Sequence, residues 1–113
     1  MSKATEDVLA ERQRQVEAEG WTDEHDDQHG ERELARAALC YVEQYAGRSW
    51  LLEAFPDGEE RYQSDEMPDA WPTTWAEEWW KPKNPRRDLV RAAALLLAEI
   101  ERLDRAALKA PNV

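Results

Sequence analysis

Aromatic and basic side chains are concentrated in one short stretch of the sequence, residues 71–91. Four of the six tryptophans lie within its first ten positions, and five Lys or Arg side chains follow them. Indole rings stack on nucleobases, and Arg or Lys side chains hold phosphate, most readily beside a helix N-terminus. The stretch therefore predicts a site for a small phosphorylated, nucleotide-type ligand. Its candidate ligand-binding residues are Trp75, Trp79, Trp80, Arg86 and Arg87, together with Arg12 from the first predicted helix.

The same residues also have a purely structural interpretation. Irregular segments need apolar anchors, so the tryptophans can form a core instead of a binding surface. Arg12 lies between Val8 and Val16 on the inward side of its helix, where it either pairs with a structural carboxylate or points into a pocket. The sequence leaves both interpretations open.

A second cluster combines imidazoles and carboxylates. Carboxylate oxygens suit Mg²⁺ or Mn²⁺, and a metal bound there would polarise a phosphoryl oxygen and activate water. A metal-dependent nucleotide hydrolase or pyrophosphatase is therefore an alternative function. The His-Asp-Asp-x-His spacing matches no ligand pattern that geometry supports, so a solvated acidic loop is the competing interpretation and we expect no cofactor. The candidate metal ligands are His25, Asp26, Asp27, His29 and Glu33.

The charge balance argues against other classes of function. The 113-residue chain has a net charge of -10, and residues 1–70 alone carry 7 basic and 19 acidic side chains. General nucleic-acid binding and docking on anionic membranes both need clustered basic residues, so we expect neither. The longest apolar run, 92–98, is much shorter than the roughly 20 residues of a membrane helix. With no apolar leader at the N-terminus, we expect a cytoplasmic protein.

The acidic first part of the chain is compatible with binding to a basic protein. Residues 1–70 favour, as a third hypothesis, an acidic module that binds and inhibits a basic host protein.

The sequence has no Gly-x-Ser-x-Gly motif, phosphate loop or Cys–His–Asn context for its single Cys40, so we predict no catalytic residue. Glu101 and Asp104 do have the Glu-x-x-Asp spacing found in all-helical nucleotide pyrophosphatases of the MazG type.

Apolar periodicity and helix caps predict a mainly α single domain of about three helices. Thr5 and Gly20 delimit a first helix, and Asn84-Pro85 begins the longest one, which Pro111 ends. Pro56-Asp57-Gly58 is typical of a turn in a short β-hairpin. The predicted elements of the domain, 1–113, are a helix 5–19, an acidic and His-containing loop 21–30, a helix 31–46, an irregular Trp-rich segment 48–83 and a helix 85–109.

The last helix carries a heptad-like seam of apolar residues. They repeat alternately by four and three positions, which predicts the spine of the core or part of a dimer face. Together with six tryptophans, the seam supplies more apolar surface than a small core buries, so we expect a homo-oligomer. The seam residues are Leu89, Ala93, Leu96, Ile100, Leu103 and Ala107.

Three groups of short motifs are spread over residues 9–105. The first comprises ERQRQ (11–15), EGW (19–21) and DD (26–27), and the second comprises ELA (33–35) with AA (37–38) and Tyr41. The third runs from WP (71–72) and WWKP (79–82) to RDL (87–89) and AEIER (98–102). Together they resemble a family of short proteins encoded by tailed phages and prophages. The resemblance implies a phage origin and a bacterial host cytoplasm but no activity. In that setting, the expected ligand is a host antiviral signal that the protein sequesters.

Overall fold

The computed structural model describes residues 1–28 and 30–109 and confirms a mainly helical domain. Its helices are α1 (Lys3–Glu19), α2 (Asp23–Asp27), α3 (Glu33–Val42) and α4 (Pro85–Lys109), and an antiparallel hairpin is formed by β1 (Leu52–Ala54) and β2 (Glu60–Tyr62). No helix within the described ranges is long and apolar enough to cross a membrane. His29 and Pro111 lie outside the described residues.

The first helix, α1, starts earlier than predicted and buries a polar face. Ser2, not Thr5, caps it, because the Ser2 hydroxyl accepts a hydrogen bond from the Thr5 backbone N–H at 3.1 Å. Gly20 ends α1 with φ 72°, in the left-handed region that glycine adopts without strain. The buried residues of α1 are Glu11, Arg12 and Gln15. The helix therefore packs on its neighbours largely through hydrogen bonds and ion pairs.

The predicted acidic loop 21–30 contains the short helix α2. Thr22 caps it, since the Thr22 hydroxyl accepts a hydrogen bond from the His25 backbone N–H at 3.3 Å. The buried Trp21 precedes the cap. The helical turn directs Asp26 towards α1 and Asp27 towards α4, where both carboxylates meet arginines.

The second predicted helix, 31–46, is shorter and changes geometry. Arg32 has φ 65°, so α3 begins after it, at Glu33. At its end the chain widens into a π-helical turn, Glu43–Gly47, in which the side chain of Gln44 is buried. Gln44 Nε2 donates to the carbonyl oxygen of Ser64 at 2.8 Å, which ties the end of α3 to the chain beyond the hairpin.

The Trp-rich segment 48–83 contains the predicted hairpin but little other regular structure. Leu52 pairs with Tyr62 and Ala54 with Glu60, and Gly58 takes φ 85° in the turn between the strands. Between residues 74 and 80 the chain forms a single 3-10 turn, Glu77–Trp79. The segment is held by its tryptophans, since Trp71 and Trp75 are only 3% and 4% exposed.

Of the two roles predicted for the seam of α4, the spine of the core is wrong. Leu96, Ile100 and Leu103 remain 44%, 56% and 53% exposed. The opposite face of α4 is buried instead and carries Ala92, Ala94 and Ala98 together with Val90 and Leu95. Alanines allow helix backbones to approach closely, so α4 packs on α1 and α3 chiefly through these small side chains and leaves most of its leucines outside. The core consists of Trp21, Leu34, Ala37, Ala38, Cys40, Tyr41, Trp71, Trp75, Ala92, Leu95 and Ala98.

Candidate ligand-binding groove

The N-terminus of α4 lies beside α1 and presents two arginines there. Asn84 caps the helix, because its Oδ1 accepts a hydrogen bond from the Arg87 backbone N–H at 2.8 Å. Pro85 occupies the first turn, where its fixed φ suits a helix and its missing N–H costs nothing. Arg86 and Arg87 follow at once, next to the free N–H groups that make a helix N-terminus attractive to anions.

An open cavity of about 420 Å³ lies between this helix end and α1. Arg14 of α1 faces it together with Arg86 and Arg87, and Asp7 and Glu11 supply two carboxylates. Arg14 also pairs with Glu19 at 3.0 Å, so the three guanidinium groups are balanced by three carboxylates, and the helix dipole adds positive potential. This local balance contrasts with the net charge of -10 for the chain. We call this space the cationic cavity, after its three guanidinium groups.

Ion pairs hold the arginines of this cavity in place. Arg86 Nη2 lies 2.9 Å from Asp7 Oδ2. Glu11 is shared, because its carboxylate accepts from Arg14 Nε at 2.7 Å and from Arg87 Nη2. Burial works against the Glu11 charge, but the hydrogen bonds from Arg14 and Arg87 outweigh it and lower the pKa of the Glu11 carboxyl.

Arg14 also lines a second open cavity, of about 360 Å³, which we call the aromatic cavity after its two tryptophans. Its other walls are Ala18, Glu19, Trp21, Trp79 and Lys81. The ring centroids of Trp21 and Trp79 are 5.7 Å apart with an interplanar angle of 58°. Trp79 is half-buried, so part of its indole face is available to a ligand. We call the two cavities that share Arg14 the groove.

Tyr41 of α3 fixes the backbone that forms the aromatic cavity of the groove. Its hydroxyl donates to the carbonyl oxygen of Trp79 and accepts from the Lys81 backbone N–H, both at 3.2 Å. Burial raises the pKa of Tyr41, so the hydroxyl keeps its proton and its donor role at neutral pH. Arg91 adds a hydrogen bond to the carbonyl oxygen of Lys81. The wall around Trp79 is therefore preorganised.

A third, small cavity of about 20 Å³ lies beside Arg14 and shares wall residues with both open cavities. Gln15 and Arg91 contribute polar groups to its walls. Gln15 Oε1 and Arg91 Nε are buried and have no hydrogen-bond partner among the described residues. The space is close to the volume that one water-sized group needs. The floor of the groove thus offers one unused acceptor and one unused donor.

Three of the six predicted ligand-binding residues line the groove, namely Trp79, Arg86 and Arg87. The other three lie elsewhere. Trp75 belongs to the core, and Trp80 Nε1 donates to the carbonyl oxygen of Asp65. Arg12 is 9% exposed and pairs with Asp26 at 2.8 Å, which is the structural alternative that the sequence left open.

Arg14 and Lys81 are the groove residues that the predicted ligand-binding set lacked. Lys81 follows Trp79 and Trp80 directly in the sequence, so its position next to two predicted ligand-binding residues could have identified it. Arg14 carried no such signal, because it stands on α1, 72 positions before Arg86, and only the packing of α1 against α4 brings them together.

The candidate metal ligands are directed to different partners. Asp26 faces Arg12, while Asp27 Oδ1 lies 2.9 Å from Arg105 Nη2. Glu33 accepts a hydrogen bond from the Glu31 backbone N–H at 3.0 Å, and the His25 ring stacks on Trp21. Over residues 1–28 and 30–109, no group of three or more His, Cys, Asp or Glu side chains is arranged to hold a metal ion.

No protein-family model, curated protein or solved structure matches the chain. The fold and the groove define a small helical protein with a preorganised cleft lined by arginine and tryptophan side chains.

Proposed function

We propose that the protein binds a small phosphorylated, nucleotide-type ligand in the groove. The observation that carries the proposal is the position of Arg14, which lines both the cationic cavity at the start of α4 and the aromatic cavity beside Trp79. A ligand that combines phosphate with a planar ring fits two such neighbouring cavities better than a free anion or an apolar molecule does.

In this proposal the phosphate lies at the N-terminus of α4, between Arg86, Arg87 and Arg14. The base stacks on the exposed face of Trp79, with Lys81 at the edge of the aromatic cavity. Stacking on an aromatic side chain contributes about 1–3 kcal/mol per base, and charge-assisted hydrogen bonds to phosphate contribute about 1.5–3 kcal/mol each. The phosphate competes with Asp7 and Glu11 for the guanidinium groups.

We propose binding without turnover. Asp7 and Glu11 are the carboxylates of the cationic cavity, and both accept hydrogen bonds from basic side chains. Hydrogen bonds from Lys3 and Arg86 lower the pKa of Asp7, just as those from Arg14 and Arg87 lower that of Glu11. A general base works best with a pKa near the working pH, so these carboxylates are poorly suited to activate water. In a bacterial host, such a protein would sequester a nucleotide signal of antiviral defence.

Titration of the intact protein with a defined nucleotide panel tests the proposal. We expect calorimetry to detect binding of at least one of ADP, ADP-ribose or a cyclic dinucleotide, and native mass spectrometry to show that the bound ligand keeps its mass. Arg87→Gln and Trp79→Leu should each weaken binding about tenfold or more, since each removes at least 1.4 kcal/mol of contact energy. Arg61→Gln and Trp50→Ala are the control variants, because they change an exposed arginine and an exposed tryptophan outside the groove. They should leave the affinity unchanged.

Three results would contradict this function. The first is the absence of binding by any member of the panel. The second is binding that survives both groove variants. The third is the appearance of cleaved ligand masses, above all with added Mn²⁺, which would instead favour the metal-dependent hydrolase.

Replacing Glu11 by glutamine should move stability and affinity in opposite directions. The change removes the charge that Arg14 and Arg87 share. It should destabilise the fold by about 1–3 kcal/mol, because Arg87 loses its charged acceptor and Arg14 keeps only Glu19. The same guanidinium groups then become available to phosphate, so binding of inorganic pyrophosphate should tighten. Urea denaturation and calorimetry on one preparation measure both effects. Weaker pyrophosphate binding by Glu11→Gln would place the anion away from these arginines.

A further inference from the structure

The exposed face of α4 is the largest concentration of uncovered apolar side chains in the described part of the protein. Of the ten large hydrophobic residues that are exposed there, five lie on this one helix. Four of these five, all but Leu108, belong to the seam, which runs from Leu89 to Ala107, or about 27 Å along the helix at 1.5 Å per residue. Contiguous apolar surface of this kind marks an interface.

The seam itself suits a second copy of the same helix. Its residues repeat by four and three positions, which is the period of knobs-into-holes packing between two helices. None of its six positions is charged, so two copies can meet there although each chain carries a net charge of -10.

The charges beside the seam select an antiparallel orientation. Arg86 and Asp104 are 18 positions apart, which is five full turns, so they lie on the same edge of the seam near opposite ends. Two antiparallel copies bring these edges face to face, with Arg86 of each chain opposite Asp104 of the other. A parallel pair puts the same edges on opposite sides of the interface. Asp104 has no ion pair within residues 1–28 and 30–109. Arg86 pairs with Asp7 of its own chain at 2.9 Å, but its side chain is more than half exposed, so a second carboxylate can reach it.

We propose that the protein forms a two-fold symmetric dimer in which the seams of two α4 helices pack antiparallel. The Arg86–Asp104 register centres the pair near residue 95. It places Leu89 of one chain against Ile100 of the other, and Ala93 against Leu96. Each large seam residue thus packs against either a large or a small apolar residue of the other helix, as successive layers of a helix pair require. The proposal does not depend on ligand binding.

Sedimentation equilibrium tests the interface. We expect the wild type to approach twice its 13.2 kDa chain mass at micromolar to millimolar concentrations. Leu96→Glu and Ile100→Glu should each weaken the dimer about tenfold or more, because an unpaired carboxylate would be buried. Both sites are exposed in the monomer, so the fold should tolerate the change. Leu39→Glu, at a similarly exposed position on α3, is the matched control. A monomeric wild type, or a dimer insensitive to both α4 variants, overturns the proposal.

Disulfide cross-linking tests the orientation. An equimolar mixture of the Leu89→Cys and Ile100→Cys variants should form a mixed cross-linked dimer under mild oxidation. Either variant alone should cross-link poorly, because each position lies five or more residues from the two-fold axis and its two copies are about 15 Å or more apart along the helices. The native Cys40 is buried, and burial raises the pKa of its thiol to about 11, so it should not interfere. Efficient cross-linking of Leu89→Cys with itself would indicate parallel helices and contradict the proposed pairing.

Discussion

Replacing Arg12 by methionine should destabilise the protein by about 3–5 kcal/mol, the range expected when a buried ion pair loses one partner. Asp26 is fully buried, and Arg12 Nη2 lies 2.8 Å from its Oδ2. Arg12 also donates to the carbonyl oxygen of Trp21 at 3.2 Å and lies 3.3 Å from Glu101. One side chain thus joins α1, α2 and α4.

The loss should depend on pH in a defined direction. Burial raises the pKa of Asp26 above its ordinary value, despite the attraction of Arg12. Between the unfolded and the folded pKa, the folded protein binds more protons at Asp26 than the unfolded chain does, so the Asp26 contribution to stability increases as the pH falls. Without Arg12 this pKa rises further. The difference between wild type and Arg12→Met should therefore be largest at neutral pH and should shrink towards pH 5.

Urea denaturation at pH 7 and pH 5 measures this effect, with two comparison variants. Arg12→Met combined with Asp26→Asn should recover much of the lost stability, because no buried charge then remains unpaired. Arg61→Met removes an exposed partner of Asp57 and should cost less than about 1 kcal/mol. A loss as small for Arg12→Met would show that the Arg12–Asp26 pair does not hold the helices together.

Replacing Trp75 by alanine should cost about 3–5 kcal/mol, as for other buried tryptophans. Trp75 is 4% exposed, and its ring centroid lies 5.3 Å from that of Trp21, 5.7 Å from Trp71 and 5.4 Å from Trp79. The truncation leaves a cavity among three aromatic rings that cannot collapse onto it, since other core contacts hold them. Trp50 is 72% exposed, so Trp50→Ala should change stability by no more than about 0.5 kcal/mol.

Denaturation of the two tryptophan variants separates a core role from a ligand-binding role. A large stability loss for Trp75→Ala, beside an unchanged Trp50→Ala, assigns Trp75 to the core. If Trp75→Ala instead kept full stability and abolished ligand binding, Trp75 would be a stacking residue of the ligand site, and its assignment to the core would be contradicted.

Local sequence determined most of the secondary structure of this protein. Asn84-Pro85 predicts the start of α4, and the helix indeed begins at Pro85, because a cap and its first turn involve only neighbouring residues. Pro56-Asp57-Gly58 predicted the hairpin for the same reason, since Gly58 alone supplies the positive φ of the turn. The basic and aromatic composition of the groove was also visible in the order Trp79, Trp80, Lys81.

Tertiary structure decided which faces are covered and which charges meet. The period of the α4 seam identifies an apolar stripe but does not say whether α1 and α3 or solvent lies against it, and here close packing on alanines leaves the stripe exposed. Arg12 meets Glu101 across 89 positions, and Arg87 meets Glu11 across 76. Pairing over such separations follows from how helices pack, which no local pattern encodes. The same packing sends Arg12 into the protein and leaves Arg14, two residues later, in the groove.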